Sequence, residues 1–467
     1  MKALIIAAGK GTRFNRHAGK KHKALLKVCG VTVIERILDA CPQVDELVVV
    51  TGYLAEDLEN KLHRLLAGRV RLNFVRNPDW ERGNGLSVLA ARDALAGEER
   101  FLLLMSDHLL EPALIRQLCL DPPKPGECLL AVDRDIENVF DLEDATKVLL
   151  ADEERIEAIG KGLENFNAVD TGIFYCTAAL FEALEEAAAQ GGDSLSDGIQ
   201  VLCRGKAMGY RDVSGCLWQD IDSPECIVEA ENRLWRKIQK PRDGVISRLF
   251  NRKVSGFMTR RLCYLPVAPN QVTVFNVLLA GLAAWLMASG QLLAGAVLAQ
   301  MYSITDGVDG ELARLKNQGS WFGGWLDNIG DRVCDWLVVI GAACAARYLG
   351  AGDTYFWILL SAVLISNLAY WTAMDSLLIS GVLRAPIQTQ GVLSRIEAWF
   401  YRREMVFGLT HDSYLLMLAI GVAAGFPAFT LWLLIALETI WWIAKLYQVR
   451  NAQPSKTYGG YLARRTF

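Results

Sequence analysis

Apolar and polar positions follow one rhythm in the first half of this chain and another in the second. Up to about residue 232 the apolar runs are short: Lys2–Ala8, Leu47–Thr51, Leu72–Val75 and Phe101–Met105. Runs of that length, bounded by turn residues or charge, read as buried strands. The apolar run that follows Gly83 and Gly85, with Ser87 near its start, reads as a helix. Beyond residue 268 the runs lengthen, near 271–289, 292–309, 324–347, 356–374, 413–426 and 428–446. Each approaches the length needed to cross about 30 Å of hydrocarbon. The pattern predicts an α/β domain at 1–232, a linker at 233–268, an all-α six-helix transmembrane domain at 269–450 and a tail at 451–467.

Charge orients the second half. In the linker, Arg236, Lys237, Lys240, Arg248, Arg252, Arg260 and Arg261 punctuate Val245, Ile246, Leu249, Phe250, Val254 and Phe257, which recur at helical spacing. A basic amphipathic stretch before a span reads as an interfacial helix against anionic lipid headgroups; a solvated linker is the alternative. The junction, a 310–318 turn, the 384–403 loop and the tail are basic, whereas the connections near 290, 350 and 427 carry almost no Lys or Arg. The positive-inside rule then puts both termini in the cytoplasm, with the chain multi-pass in the inner membrane.

Composition adds less. Of 467 residues 52% are apolar and 22% charged, and the net charge of -3 averages an acidic half with a basic junction. Nothing in that balance points to a nucleic acid partner. Eleven cysteines show no C-x-x-C spacing, which fits reduced thiols better than a disulfide framework. The chain enters a strand pattern within two residues, so no signal peptide is expected.

Acids at membrane depth change the picture. Asp306, Asp309, Asp327 and Asp331 lie between apolar runs, in the order D-x-x-D-G-x-x-A-R, eight residues, G-x-x-x-D-x-x-x-D. Spacings of three and four put each pair on one helix face. Buried carboxylates are costly and functional by default. Oxygen-only ligands suit Mg²⁺ or Mn²⁺. Gly310 and Ala313 leave room for a ligand's pyrophosphate or ribose, and Arg314 offers a fork to phosphate. A polar loop of solvated acids is the alternative. With Gly323, these residues match the signature of the CDP-alcohol phosphotransferases, and the segment resembles that family. The resemblance implies nucleotide contacts from Gly310, Ala313, Arg314 and Gly323, metal at the four aspartates, and Asp331 as general base.

The first strand runs into Ala8, Gly9, Gly11, Thr12 and Arg13, a glycine loop whose N–H groups can face an anion. With Lys23-Ala24-Leu25-Leu26, it resembles the opening of nucleotide-sugar pyrophosphorylase-type nucleotidyltransferases, which have a Rossmann-like mixed sheet. That likeness implies phosphate contacts from Arg13 and Lys23, nucleotide contacts from Gly83, Asn84 and Ser87, and Mg²⁺ on Asp107 with Asp220 or Asp222. An acid ending a strand, as Asp107 does, lies where open α/β sheets bind ligands. Asp170 either caps a turn or holds substrate hydroxyls. His108 reads as a hydrogen-bonded loop residue and Trp80 as loop packing.

The segments E-R-G-N-G-x-S, S-D-H and A-V-D-T-G narrow the resemblance to inositol-1-phosphate cytidylyltransferases. Across nearly its whole length the chain resembles bifunctional inositol-1-phosphate cytidylyltransferase and di-myo-inositol-phosphate-phosphate synthase proteins. The resemblance implies CTP and inositol-1-phosphate as first substrates, CDP-inositol as intermediate and an acceptor alcohol, inositol phosphate or lipid. A homodimer formed through the membrane half is expected. A choline-phosphate-type cytidylyltransferase, or a non-catalytic nucleotide-binding domain in front of the phosphotransferase, are the competing readings.

Overall fold

Strand β1 (Lys2–Ala7) carries the logic of the first half: Ala3, Ile5 and Ala7 pack into one apolar cluster and Leu4 into another. A strand buried on both faces needs the near-continuous apolar run seen in the sequence. The structure is a computed structural model and describes residues 1–11, 22–151, 154–239, 243–379 and 408–451, with a few positions between 395 and 406. Thr12 and Arg13, most of the 384–403 loop and the tail after 451 lie outside the described residues. The chain divides into two compact units, Met1–Lys237 and Ile238–Phe467.

The first unit is a mixed sheet of nine strands. Strand β2 (Glu46–Thr51), β3 (Arg71–Arg76) beside it, and β4 (Phe101–Met105) on the other side of β1 form the parallel part. Strand β5 (His108–Leu110) lies off the sheet. Strands β6 (Cys128–Asp133), β7 (Lys147–Leu150), β8 (Ile156–Gly160), β9 (Ala168–Cys176) and β10 (Met208–Asp212) complete the sheet, with β9 antiparallel to β4. Strand β11 (Trp218–Asp220) pairs with β5 and sets Asp220 opposite His108.

Helices cover both faces. On one side Val33–Ala40 (α1), Ala55–Leu66 (α2) and Pro112–Leu118 (α4) bury Ile34, Leu58, Leu62, Leu66, Leu114 and Ile115. On the other, Asn84–Ala90 (α3), Ala179–Ala189 (α5) and Leu195–Arg204 (α6) bury Val88, Leu180 and Ile199. Helix α7 (Pro224–Ile238) carries the chain to the boundary. The C-terminal ends of β1 and β4 are left open, where ligands bind in such sheets.

The second unit is helical: α8 (Arg252–Leu262), α9 (Pro269–Ala288), α10 (Leu292–Leu315), α11 (Trp321–Tyr348), α12 (Asp353–Ile379), α13 (His411–Ala423) and α14 (Pro427–Asn451). Its core is rich in alanine, including Ala280, Ala283, Ala296, Ala299, Ala342 and Ala343. Small residues let helix backbones approach without a large apolar driving force. A side chain on Gly341 would meet the Ala284 backbone at 2.5 Å. Among the described residues three helical stretches, Pro269–Ala288, Asp353–Tyr370 and Pro427–Ala444, are long and apolar enough to cross a membrane.

One expectation is corrected. The sequence suggests a polar turn at 310–318, but α10 stays helical to Leu315. Gly307 and Gly310 do not break it, because each makes room for an arginine: a side chain at Gly307 would meet Arg252 and one at Gly310 would meet Arg314. The packing holds a helix that composition alone leaves weak.

Candidate functional sites

At the open end of the first sheet lies a cleft of about 210 Å³, lined by Gly9, Gly11, Lys23, Asn84, Ser87 and Asp107, with His22, Trp80 and Arg82. Gly11 has φ +58, a conformation that favours glycine, and a side chain there would press on Lys23 at 3.3 Å. Gly9 has open space on its side-chain face. Ala8 is buried, and its carbonyl accepts from the Tyr53 N–H at 2.9 Å. Gly83 and Gly85 have a packing reason: side chains there would land on the backbone of Asp193 and Ser194. Asn84 accepts from the Leu195 N–H at 2.8 Å, and Ser87 from the Asn77 amide at 3.0 Å.

Lys23 stands between two acids. Its ammonium donates to Asp107 Oδ2 at 2.9 Å and pairs with Asp222 Oδ1. Burial works against that charge, but Asp107 and Asp222 outweigh it and raise the lysine above its ordinary range. Burial would also raise the Asp107 carboxyl; the hydrogen bond with His108 and the lysine charge reverse this and hold it well below the usual range. Of the alternatives Asp220 and Asp222, the structure turns Asp222 to Lys23, while Asp220 accepts from its neighbour Gln219 at 3.0 Å.

His108 has a larger part than the sequence suggests. Its Nδ1 lies 2.9 Å from Asp107 Oδ1, and Asp220 and Asp170 also act on its charge. Gly172, at φ +73, clears space for this ring, since a side chain there would come within 2.6 Å of Nε2. Asp170 accepts from the Gly172 N–H at 2.7 Å, and burial pushes its carboxyl up to about 6. Trp80 does more than fill a loop: it lines the cleft and tilts against Tyr53 with ring centroids 5.4 Å apart.

In the helical unit, α10 presents Asp306 and Asp309 and α11 presents Asp327 and Asp331. The Asp331 and Asp306 carboxyls hydrogen-bond to each other, with Asp327 and Asp335 in electrostatic reach. Asp309 is held by the Thr273 hydroxyl at 2.7 Å and the Gly310 N–H at 2.6 Å. Two carboxyls stay this close only if one keeps a proton to share in a hydrogen bond, or if a cation comes to stand between them instead. All the donors are hard oxygens, the set that suits Mg²⁺ or Mn²⁺. Among the described residues no ready-made cage of three His, Cys, Asp or Glu side chains is present. Arg314 Nε donates to the Ile238 carbonyl at 3.1 Å. Ala313 follows one turn after Asp309 on α10, and the Gly323 N–H donates to Ser320, the cap of α11, at 2.9 Å.

Two positions here escape the sequence reading. Glu311 is fully buried and takes hydrogen bonds from Arg252 (2.9 Å), Ser255 (3.1 Å) and Thr259 (2.7 Å), one stripe of α8. Asp335 meets His411 Nε2 at 2.6 Å. Asp335 continues the four-residue spacing of Asp327 and Asp331, a signal present in the sequence.

Known proteins resemble this chain in both units. Residues 3–198 match the MobA-like NTP transferase domain and residues 266–437 match CDP-alcohol phosphatidyltransferase. The bifunctional IPC transferase and DIPP synthase of Rubrobacter xylanophilus is 34% identical over 91% of either chain. The protein of that name from Thermococcus kodakarensis is 35% identical over 72% of this chain and 73% of its own. The chain belongs to this bifunctional family. A solved inositol-1-phosphate CTP transferase from T. maritima is 26% identical, covering 50% of this chain and 95% of that one with a TM-score of 0.44. Family membership makes the chain a transferase with two activities, nucleotidyl transfer in its first part and CDP-alcohol phosphotransfer in its apolar helical part. It also makes it a membrane protein, and both families generally use divalent metals.

Proposed function

We propose that the protein makes CDP-inositol from CTP and inositol-1-phosphate, then transfers phospho-inositol to a second inositol phosphate with release of CMP. The observation that carries this is the presence of both constellations in one chain: Lys23 with Asp107 and Asp222 at the cleft beside the glycine loop, and the paired aspartates of α10 and α11. The resemblance to bifunctional inositol-1-phosphate cytidylyltransferase and di-myo-inositol-phosphate-phosphate synthase proteins supplies inositol and favours an inositol phosphate acceptor over a lipid.

In the first step a phosphate oxygen of inositol-1-phosphate attacks the α-phosphorus of CTP, and the bond to pyrophosphate breaks. The glycine loop binds the triphosphate, and Arg13 and Lys23 offset the charge that builds on the phosphoryl oxygens. Lys23 must turn from its acids toward phosphate, leaving Asp107 with Asp222 or Asp220 to face a cation. Asp170 and His108 orient the inositol hydroxyls. In the second step the acceptor hydroxyl attacks the inositol-bearing phosphorus of CDP-inositol, and CMP leaves. Asp331 takes the hydroxyl proton. Arg314, with Gly310, Ala313 and Gly323, holds the pyrophosphate. Mg²⁺ or Mn²⁺, when bound by Asp306, Asp309, Asp327 and Asp331, would supply charge for the pyrophosphate oxygens.

The reading extends to placement: six spans in the inner membrane, both termini and the aspartates on the cytoplasmic side, and a homodimer through the helical unit. The expected domain limits are 1–232, 233–268, 269–450 and 451–467. Mass spectrometry of products from CTP and competing phospho-alcohols tests the substrate. CDP-inositol should form in preference to CDP-choline; equal or better CDP-choline formation contradicts the reading.

A further inference from the structure

One helical turn below the aspartate pair lies a second polar layer that the phosphotransfer chemistry does not use. Asp335 follows Asp331 by four residues on α11, so both side chains share one face, about 6 Å apart along the axis. Tyr302 precedes Asp306 by four on α10 in the same way. Asp335 is 1% exposed, and its Oδ1 meets Nε2 of His411, the first residue of α13, at 2.6 Å. The fully buried Tyr302 ring stands edge-on to the His411 ring with centroids 6.1 Å apart. Asp335 Oδ2 is buried without a protein partner. Three helices therefore meet at one aspartate–histidine contact, directly behind the residues of the second active site.

The cost of this arrangement is real. A carboxylate at membrane depth is expensive, and leaving one buried oxygen without a partner adds the cost of its lost hydration. An apolar residue would pack α10, α11 and α13 together without either cost. What the acid supplies that an apolar residue cannot is a carboxyl of fixed height and direction beside Asp331 and Asp306, with His411 holding it in one orientation.

We propose that Asp335 and His411 form a positioning pair that fixes the Asp331 and Asp306 carboxyls for metal binding and phospho-alcohol transfer. Asp335 does not touch substrate; it acts through Asp331 on the shared helix face, and His411 acts through Asp335. This rests on the phosphotransfer reading above, and the test is arranged so that the two fail separately. Outer partners of this kind change metal affinity or activity by about 10–100-fold when removed.

The full-length protein in detergent is compared with D335N, H411L and H411Q, the last keeping an amide N–H able to donate to Asp335. Mn²⁺ binding is titrated by electron paramagnetic resonance, CMP release from CDP-inositol gives kcat and KM, and cytidylyl transfer is the control for folding. D335N and H411L are expected to weaken Mn²⁺ binding and lower kcat about tenfold or more, with KM for CDP-inositol and cytidylyl transfer unchanged. H411Q is expected to recover most of both losses. Mn²⁺ affinity within twofold of wild type in D335N and H411L overturns the proposal, as does H411Q falling as far as H411L. Wild-type protein that binds Mn²⁺ but releases no CMP overturns the phosphotransfer reading instead, and the Mn²⁺ titrations still decide the pair.

Discussion

The two units handle buried carboxylates in opposite ways. In the first, the chain brings its own cation: Lys23 stands between Asp107 and Asp222, and the His108 ring lies against the other oxygen of Asp107. In the second, Asp306 and Asp331 face each other, and the ion pairs described in that unit join Arg252 to Glu311, Arg347 to Asp353 and His411 to Asp335. A soluble cleft can be poised by a flexible lysine that trades carboxylate for phosphate when substrate arrives. In the helix bundle two of the aspartates instead face each other, and a divalent cation bound by them would supply the charge that the lysine supplies in the first site.

The comparison predicts unequal responses to losing a cation. Lys23→Ala should remove the resident charge from the first site and slow CDP-inositol formation by about 10²–10³-fold. CMP release from supplied CDP-inositol should be untouched. Parallel rate assays on the full-length protein check this, and a loss in both reactions breaks the contrast between the units.

Chelation should act the other way. If the aspartates of α10 and α11 are settled by Mg²⁺ or Mn²⁺, saturating metal at about 100 times its Kd stabilises the helical unit by about 2.7 kcal/mol. EDTA should then lower the thermal transition of that unit and leave the first unit nearly unmoved, because Lys23 already stands between its acids. Residual activity of each unit, assayed in excess Mg²⁺ after heating in EDTA, follows the two transitions, and an equal fall in both contradicts the account.

The smallest effect concerns Asp170. Its carboxyl is raised from 3.8 to about 6 by burial, so in the unfolded chain it ionises first as pH rises. Its contribution to stability is full below about pH 4, declines up to pH 6 and is constant above that. Asp170→Asn should therefore become more stable than wild type over that interval and keep the margin at neutral pH. Urea unfolding of residues 1–237, a unit with its own core on both sheet faces, measures the margin at pH 4, 5, 6 and 7. A margin that does not grow between pH 4 and 6 removes the burial argument.

Much of this was legible in the sequence because it is local. The parallel strands β1 to β4 announce themselves as short apolar runs, and β1, β2 and β4 are covered on both faces. The aspartates of α10 and α11 are legible because three- and four-residue spacings fix a helix face before any tertiary contact forms. What escapes is made by distant pairing. Nothing in the order of residues says that β11 will pair with β5 and set Asp220 opposite His108, or that Asp222 will reach Lys23 199 positions away. Glu311 sits at an unspecified position of the aspartate motif, and nothing local shows that Arg252, Ser255 and Thr259 will close on it from α8. The space beside Gly307 is filled in the same way, by Arg252 of α8.

The division of labour itself is tested most directly by two substitutions in the full-length protein, with all products followed by mass spectrometry. Asp331→Asn should slow phospho-inositol transfer by about 10²–10⁴-fold, the range for loss of a general base, and CDP-inositol should accumulate. Asp107→Asn should make no CDP-inositol from CTP yet release CMP at the normal rate when CDP-inositol is supplied. If Asp331→Asn also stops cytidylyl transfer, the two reactions share one site or one fold, and the account of two active sites is wrong.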